Sequence, residues 1–361
     1  MLAPEMSSMR VAVVGAGLMG RWHAYFAQRL GAQIVAVVDS SPGAAESLAR
    51  CVKKAAVYRE TGAMLEVARP HVVHMCTPLS SHLPLTLQVV ESGVHALVEK
   101  PLTHSAAQTQ TLLNKAQERE VHVCPVHQFR FQSGVARAAQ ALRGLGDVLH
   151  ANFTICSAGG GVETGAILDD IVADILPHPF SILQALWPDY PLQAQDWMAN
   201  SRRHGELHVQ GTAGSIAVSV YVSMIARPTQ CDLDILCSGG SIHLNFFHGY
   251  AVVRRGKPSR LDKVVQPFAF SGKTFAVAAT NLAGRALRRE MAYPGLSTLI
   301  NRFYAAARGA GDNPISAQDT LTVALVRQHI IQQAIPGILL ETGVDRKSVQ
   351  AVAREQYRGI L

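Results

Sequence analysis

Short apolar runs, each ending near a glycine or proline, organise the first third of the chain. Residues 10–14 (RVAVV) are apolar and stop at a glycine, the pattern of a strand buried in a parallel sheet. Residues 20–30 have helical spacing, with Trp22, Tyr25, Phe26 and Leu30 as candidate apolar contacts. Residues 34–38 predict a second strand, and the Pro42-Gly43 turn opens a helix over 44–51. Further strands are predicted at 72–76, 95–98 and 121–126, with helices over 83–92 and 105–120 between them. Short buried strands alternating with helices imply an α/β Rossmann domain, a doubly wound parallel sheet.

The rhythm changes after about residue 130. Strand-like runs at 148–156, 206–211, 215–223, 230–237, 241–247 and 251–255 follow one another, several separated by glycine turns. Helical patterns occur at 175–186, 296–308 and 319–333. The expected second domain is α+β with an open, mainly antiparallel sheet. The predicted organisation is a disordered lead-in (1–9), a dinucleotide-binding domain (10–128) and a domain for substrate binding and oligomerisation (129–361). No internal repeat is present.

Composition narrows the function classes. Of 361 residues, 48% are hydrophobic and 16% charged, the balance of a globular protein. The net charge of +7 favours anionic partners, but the basic residues are scattered. The densest run is Arg285, Arg288 and Arg289, with no basic stripe or aromatic platform, so nucleic acid is not an expected partner. No apolar run reaches the roughly 18 residues of a membrane span, and the first ten residues lack the pattern of a signal peptide. The six cysteines form no C-x-x-C pair, which predicts reduced thiols in a cytoplasmic protein and no metal site.

The chemistry begins at Gly15-Ala16-Gly17-Leu18-Met19-Gly20, a G-x-G-x-x-G between a predicted strand and a predicted helix. The first glycine permits the tight turn, the second admits a pyrophosphate, and the third lets helix and strand pack closely. Gly15, Gly17, Leu18, Met19 and Gly20 are therefore candidate cofactor contacts. Asp39 ends the second strand, 19 residues beyond Gly20, where a carboxylate would accept hydrogen bonds from ribose hydroxyls. Ser40 and Ser41 follow, with no arginine to pair with a 2′-phosphate, so NAD is expected rather than NADP.

Further motifs carry a family resemblance. Residues 76–82 (CTPLSSH) resemble the C-T-P-x-x-x-H segment of the Gfo/Idh/MocA oxidoreductases, and Glu99-Lys100-Pro101 resembles their E-K-P motif. Asp174 and His178 are similar to the D-x-x-x-H pair of the family's second domain. Leu176 and Ser181 depart from the commoner D-x-G-x-H-x-x-D form, and Asp169 and Asp170 offer another register. The resemblance implies cofactor contacts from Thr77, Pro78, His82, Glu99 and Lys100. It also implies that Lys100 and His178 share acid–base work, with Asp174 nearby. The physical chemistry agrees. A lysine past a strand's C-terminal end lies where Rossmann ligands bind and, desolvated there, can carry a proton. Asp174 and His178, four residues apart, would share one helical face.

The expected activity is NAD-dependent hydride transfer at a hydroxyl-bearing carbon of a sugar, polyol or sugar nucleotide, with the net charge favouring an anionic one, in a homodimer or homotetramer. Two alternatives stand beside it. One is a redox-neutral enzyme or glycosidase that recycles NAD. The other is a non-catalytic dinucleotide-binding regulator.

Overall fold

The computed structural model describes residues 9–52, 55–156, 165–256, 262–290 and 292–335. The expected lead-in (except Met9) and most of the glycine-rich stretch 159–166 lie outside these residues. The chain forms two compact units. The first holds residues 9–126 and 297–324, and the second holds 127–296 and 325–335. Residues 297–324 thus cluster with the dinucleotide-type unit, not with the second domain where the sequence placed them.

In the first unit, β1 (Arg10–Val14), α1 (Leu18–Arg29), β2 (Gln33–Val38), α2 (Pro42–Cys51), β3 (Ala56–Tyr58) and α3 (Thr61–Ala68) come first. Then follow β4 (Val72–Met75), α4 (Leu79–Glu91), β5 (His95–Val98), α5 (Ala106–Glu118) and β6 (Val123–Pro125). All six strands are parallel, in the order β3-β2-β1-β4-β5-β6. This is the Rossmann order, with its switch point between β1 and β4. Pairing Val14 with both Val38 and Met75 brings the C-terminal ends of β1, β2 and β4 level. The strands inside the edge strand β3 are buried almost throughout, because helices cover both faces of a parallel sheet. One face of α1 is buried through Gly20, His23, Ala24, Phe26 and Ala27. Trp22, Tyr25 and Leu30, expected as core contacts, are only half-buried.

The second unit runs α6 (Ser133–Leu142), β7 (Val148–Cys156), α7 (Ala166–Ile175), α8 (Pro177–Leu186), β8 (Met198–Asn200) and β9 (Glu206–Ala213). It continues β10 (Ile216–Ser223), β11 (Gln230–Cys237), β12 (Gly240–Asn245), β13 (Tyr250–Arg255) and α9 (Asp262–Leu287). Two late helices, α10 (Leu296–Ala307) and α11 (Ala317–Ala334), complete the described chain. The sheet order is β13-β12-β11-β7-β10-β9-β8, antiparallel except where β10 runs parallel to β7. Its inner face buries Phe153, Leu207, Val209, Val218, Val220, Leu233 and Ile235. Alternation along β10 sends its apolar residues inward. Trp197 is fully buried against Phe180 and across Gly211, where a Cβ would come within 2.5 Å of the indole.

Apolar exposure belongs instead to α9, a helix absent from the sequence reading. Its inner face is pinned to β13 and the preceding turn by polar contacts. Arg254 lies 4.5 Å over the Phe270 ring, and Asn281 Nδ2 and Arg285 Nη1 both donate to the His248 carbonyl. Val264, Val265, Phe268, Phe275 and Leu282 point outward, with Phe268 78% exposed and Phe275 75%. This is the reverse of the usual arrangement for a surface helix. No helix of the described residues is long and apolar enough to cross a membrane.

Candidate active site

The glycine loop uses each glycine differently. Gly15 has φ +96°, donates to the Val38 carbonyl at 2.8 Å, and would place a Cβ 2.4 Å from the Cys76 carbonyl oxygen. A Cβ on Gly20 would lie 1.9 Å from the Gly15 oxygen, so only glycine lets α1 approach the loop. Gly17, the N-cap of α1, has an ordinary φ of −72° and nothing within 4 Å of a Cβ. Its absent side chain serves open space, as a site for an approaching phosphate requires. Leu18 and Met19 open the helix and are half-buried. No acidic residue occupies the first turn of α1, and no side chain caps it. Its N–H groups are therefore left to an incoming anion.

Asp39, at the end of β2, is held by two backbone donors. Ala16 N–H donates to Oδ2 at 2.7 Å, and Ser41 N–H donates to Oδ1 at 2.8 Å. Ser40 is exposed beside it. Beyond β4, the buried hydroxyl oxygen of Thr77 has no protein hydrogen-bond partner, and Pro78 caps α4. The open Gly17 cradle, the fixed Asp39 carboxylate and the unsatisfied Thr77 hydroxyl suit a dinucleotide.

The E-K-P turn lies past β5, with a cis peptide bond between Lys100 and Pro101. Glu99 is 9% exposed, and Lys100 is half-buried. Glu99 N–H donates to the Met75 carbonyl at 2.9 Å, while Lys100 N–H donates to Glu99 Oε2 at 3.2 Å. His82 is buried in the first turn of α4. Its Nδ1 is 2.9 Å from the Pro101 carbonyl and its Nε2 is 2.8 Å from the Thr77 carbonyl. The ring braces the Thr77 and Pro101 segments against each other. Burial, with the Glu99 carboxylate beside it, pushes the Cys76 thiol well above its usual range, so this cysteine is no nucleophile.

Asp174 and His178 lie in the second unit. Asp174 is near the end of α7 and His178 in the first turn of α8. Leu176 between the helices keeps helical dihedrals (φ −51°, ψ −34°), so the four-residue spacing survives the break at Pro177. His178 is buried and stacks on Phe129 with centroids 4.4 Å apart. Asp174 is half-buried beside Arg327, whose Nε donates to the Ala173 carbonyl at 2.9 Å. Burial pulls the Arg327 guanidinium down to about 10, against the opposing pull of the Asp174 carboxylate. The competing register is spent on structure, since Asp169 accepts from Gly205 N–H at 2.8 Å and lies 2.6 Å from His204 Nδ1. Among the described residues, no group of three His, Cys, Asp or Glu side chains is placed to hold a metal ion.

The sequence reading missed a buried polar cluster below the E-K-P turn. His23 Nε2 is 3.2 Å from Glu99 Oε1, His23 Nδ1 is 2.9 Å from His74 Nδ1, and His74 Nε2 is 3.0 Å from the Tyr304 hydroxyl. Its one sequence signal is His74, a polar residue inside the apolar run of β4.

Comparison with known proteins agrees with this geometry. Residues 9–127 match the family model described as "Oxidoreductase family, NAD-binding Rossmann fold". The first unit is thus similar, over that stretch, to the NAD-binding domain of the Gfo/Idh/MocA oxidoreductases. The D-glucoside 3-dehydrogenase of Escherichia coli K12 is 35% identical over 118 residues, 32% of this chain and 34% of that protein. The UDP-N-acetylglucosamine 3-dehydrogenase of Acidithiobacillus ferrooxidans is 28% identical over 172 residues, 47% of this chain and 53% of its own. The chain thus spans about a third to a half of the length of these curated relatives. The WlbA dehydrogenase of Bordetella pertussis, solved with NADH and UDP-GlcNAcA, shares the fold with a TM-score of 0.71 at 15% identity. That likeness covers 92% of this chain and 96% of the other.

Proposed function

We propose that the protein is an NAD(H)-dependent oxidoreductase acting on a hydroxyl-bearing carbon of a sugar, polyol or sugar nucleotide. The observation that carries this reading is Lys100, set past the C-terminal end of β5 in the same sheet as the open Gly17 cradle and Asp39. The dehydrogenase names of the relatives support it. Bound NAD would supply the hydride acceptor. Gly17 and the first amides of α1 hold the pyrophosphate, and Asp39 accepts from the adenosine ribose. Hydride loss from an alcohol carbon requires the hydroxyl proton to leave too. Lys100 and His178 carry that proton at the substrate oxygen, and Asp174 orients the hydroxyl or the imidazole. The +7 net charge favours an anionic substrate. The six free cysteines suit a reducing compartment, so we place the protein in the cytoplasm. The apolar outer face of α9 supports a homo-oligomer.

The test is NADH absorbance after mixing the protein with NAD and a panel of polyols, sugars, sugar phosphates and nucleotide sugars, with Lys100→Ala as control. A signal lost in the control is expected. Tight NAD binding without net NADH from any substrate would overturn the dehydrogenase reading.

A further inference from the structure

Four polar side chains are buried together beneath the Lys100 turn, where apolar residues would cost less to bury. His23 and His74 have no exposed surface, Tyr304 has almost none, and Glu99 closes the group from above. They come from α1, β4, α10 and the end of β5, so the cluster is assembled by the tertiary fold.

With a single proton on the His23 ring, the donors and acceptors close in one order. A carboxylate accepts, so His23 donates from Nε2 to Glu99 Oε1. A singly protonated ring then has its lone pair at Nδ1, which His74 Nδ1–H fills at 2.9 Å. His74 Nε2 in turn accepts from the Tyr304 hydroxyl at 3.0 Å. Run in reverse, the chain would need His23 protonated on both ring nitrogens. Burial, with His23 beside it, holds His74 well below the ordinary histidine range. Burial also pushes the Tyr304 hydroxyl well above its own, so both stay neutral. At the other end, Glu99 Oε2 accepts from the Lys100 backbone at 3.2 Å.

We propose that Tyr304, His74 and His23 form a one-way hydrogen-bond chain that fixes the Glu99 carboxylate under the backbone of Lys100. The three are then positioning residues for Lys100, a claim that rests on the acid–base role given to Lys100 above. The direction is set at the carboxylate and closed at the hydroxyl. Loss of the Glu99 charge frees the His23 tautomer, then that of His74, and so loosens the hold on the Lys100 backbone.

The chain is read without turnover by proton–nitrogen NMR of the full protein labelled with 15N-histidine. The expected wild-type signature is His74 protonated at Nδ1 and His23 at Nε2. A His74 ring protonated at Nε2 overturns the proposal, and this measurement needs no variant to fold. In Glu99→Gln the His74 signature should become mixed or reversed, whereas Tyr304→Phe, which keeps the carboxylate, should retain it. In Glu99→Gln, acylation of Lys100 by limiting acetic anhydride, mapped by mass spectrometry against half-buried Lys115 on α5, should change by about 2–10-fold, the factor one hydrogen bond carries. An unchanged Lys100 to Lys115 ratio beside a reversed tautomer would also overturn it. If Lys100→Ala kept its activity while tautomers and acylation behaved as expected, the acid–base reading would fail and the chain would stand.

Discussion

The Oδ2 atom of Asp39 accepts a hydrogen bond from the N–H of Ala16 at 2.7 Å, tying the carboxylate at the end of β2 to the glycine loop. Ser41 N–H holds the other oxygen, so the side chain is oriented before any ribose arrives. Hydrogen bonds to a charged acceptor are worth roughly 1.5–3 kcal/mol, so Asp39→Ala should weaken NAD binding by about 10–100-fold. NADP, which the carboxylate repels, should lose less. Titration of both dinucleotides into the variant checks this, and an unchanged preference would remove Asp39 from the ribose.

The glycines of the loop should separate folding from binding. Gly20→Ala drives a methyl to within 1.9 Å of the Gly15 oxygen, and overpacking of this kind costs about 1–3 kcal/mol or more. Its melting temperature should drop. Gly17→Ala meets nothing, and should melt as the wild type does while losing NAD affinity. Thermal melts with and without NAD show both effects. A Gly17→Ala protein that still gained full stabilisation from NAD would move the phosphates elsewhere.

Lys100→Ala should lower turnover by roughly 10²–10⁴-fold, the range of general acid–base catalysis, while NAD affinity stays within a few-fold. His178→Asn should reduce turnover in the same sense and leave the melting temperature near wild type, because the amide fills much of the ring's place on Phe129. Steady-state kinetics with the substrate found by the panel decides both. A His178→Asn enzyme with unchanged turnover would leave Lys100 alone in the proton transfer.

A histidine cluster at the N-terminal edge of the first sheet predicts the acid response. Burial, with His122 and His71 nearby, lowers His95 to about 4, and its Nδ1 accepts from His122 N–H at 2.9 Å. The unfolded chain binds this proton near pH 6.5 and the folded chain only near pH 4. Stability is therefore lost as pH falls through that window, by at most about 1.4 kcal/mol per pH unit for one proton. His95→Asn should flatten the urea midpoint between pH 6.5 and 4.5. An equally steep loss in the variant would assign it to other groups.

The sequence showed what periodicity carries. The strands at 10–14, 34–38, 72–76 and 95–98 are continuous apolar runs because both faces of the parallel sheet are covered, and G-x-G-x-x-G and Asp39 fall at their ends. Where burial and polarity part company, the reading failed. His23 and His74 are polar yet fully buried, so the cluster under Lys100 was not visible. The helix α9 exposes Val264, Val265, Phe268, Phe275 and Leu282 and contains Pro267, so it offered no core-facing stripe. Residues 297–324 join the first unit through contacts such as Tyr304 with His74 and Asn313 with the Val123 carbonyl, which no local pattern encodes.

The inverted helix α9 has a thermal consequence. Between Val264 and Leu282 the outward positions include two phenylalanines, a leucine and two valines, with Lys273 the one charged residue in that span. Association that covers such a face draws on the release of hydration water, which is entropic near room temperature and fades on cooling. Salt would leave it intact or strengthen it. An assembly held through α9 should therefore loosen in the cold and tighten on warming, the opposite of one held by ion pairs. Light scattering at 4 °C and 30 °C should show a smaller species at the lower temperature, and Phe275→Asp should show it at both.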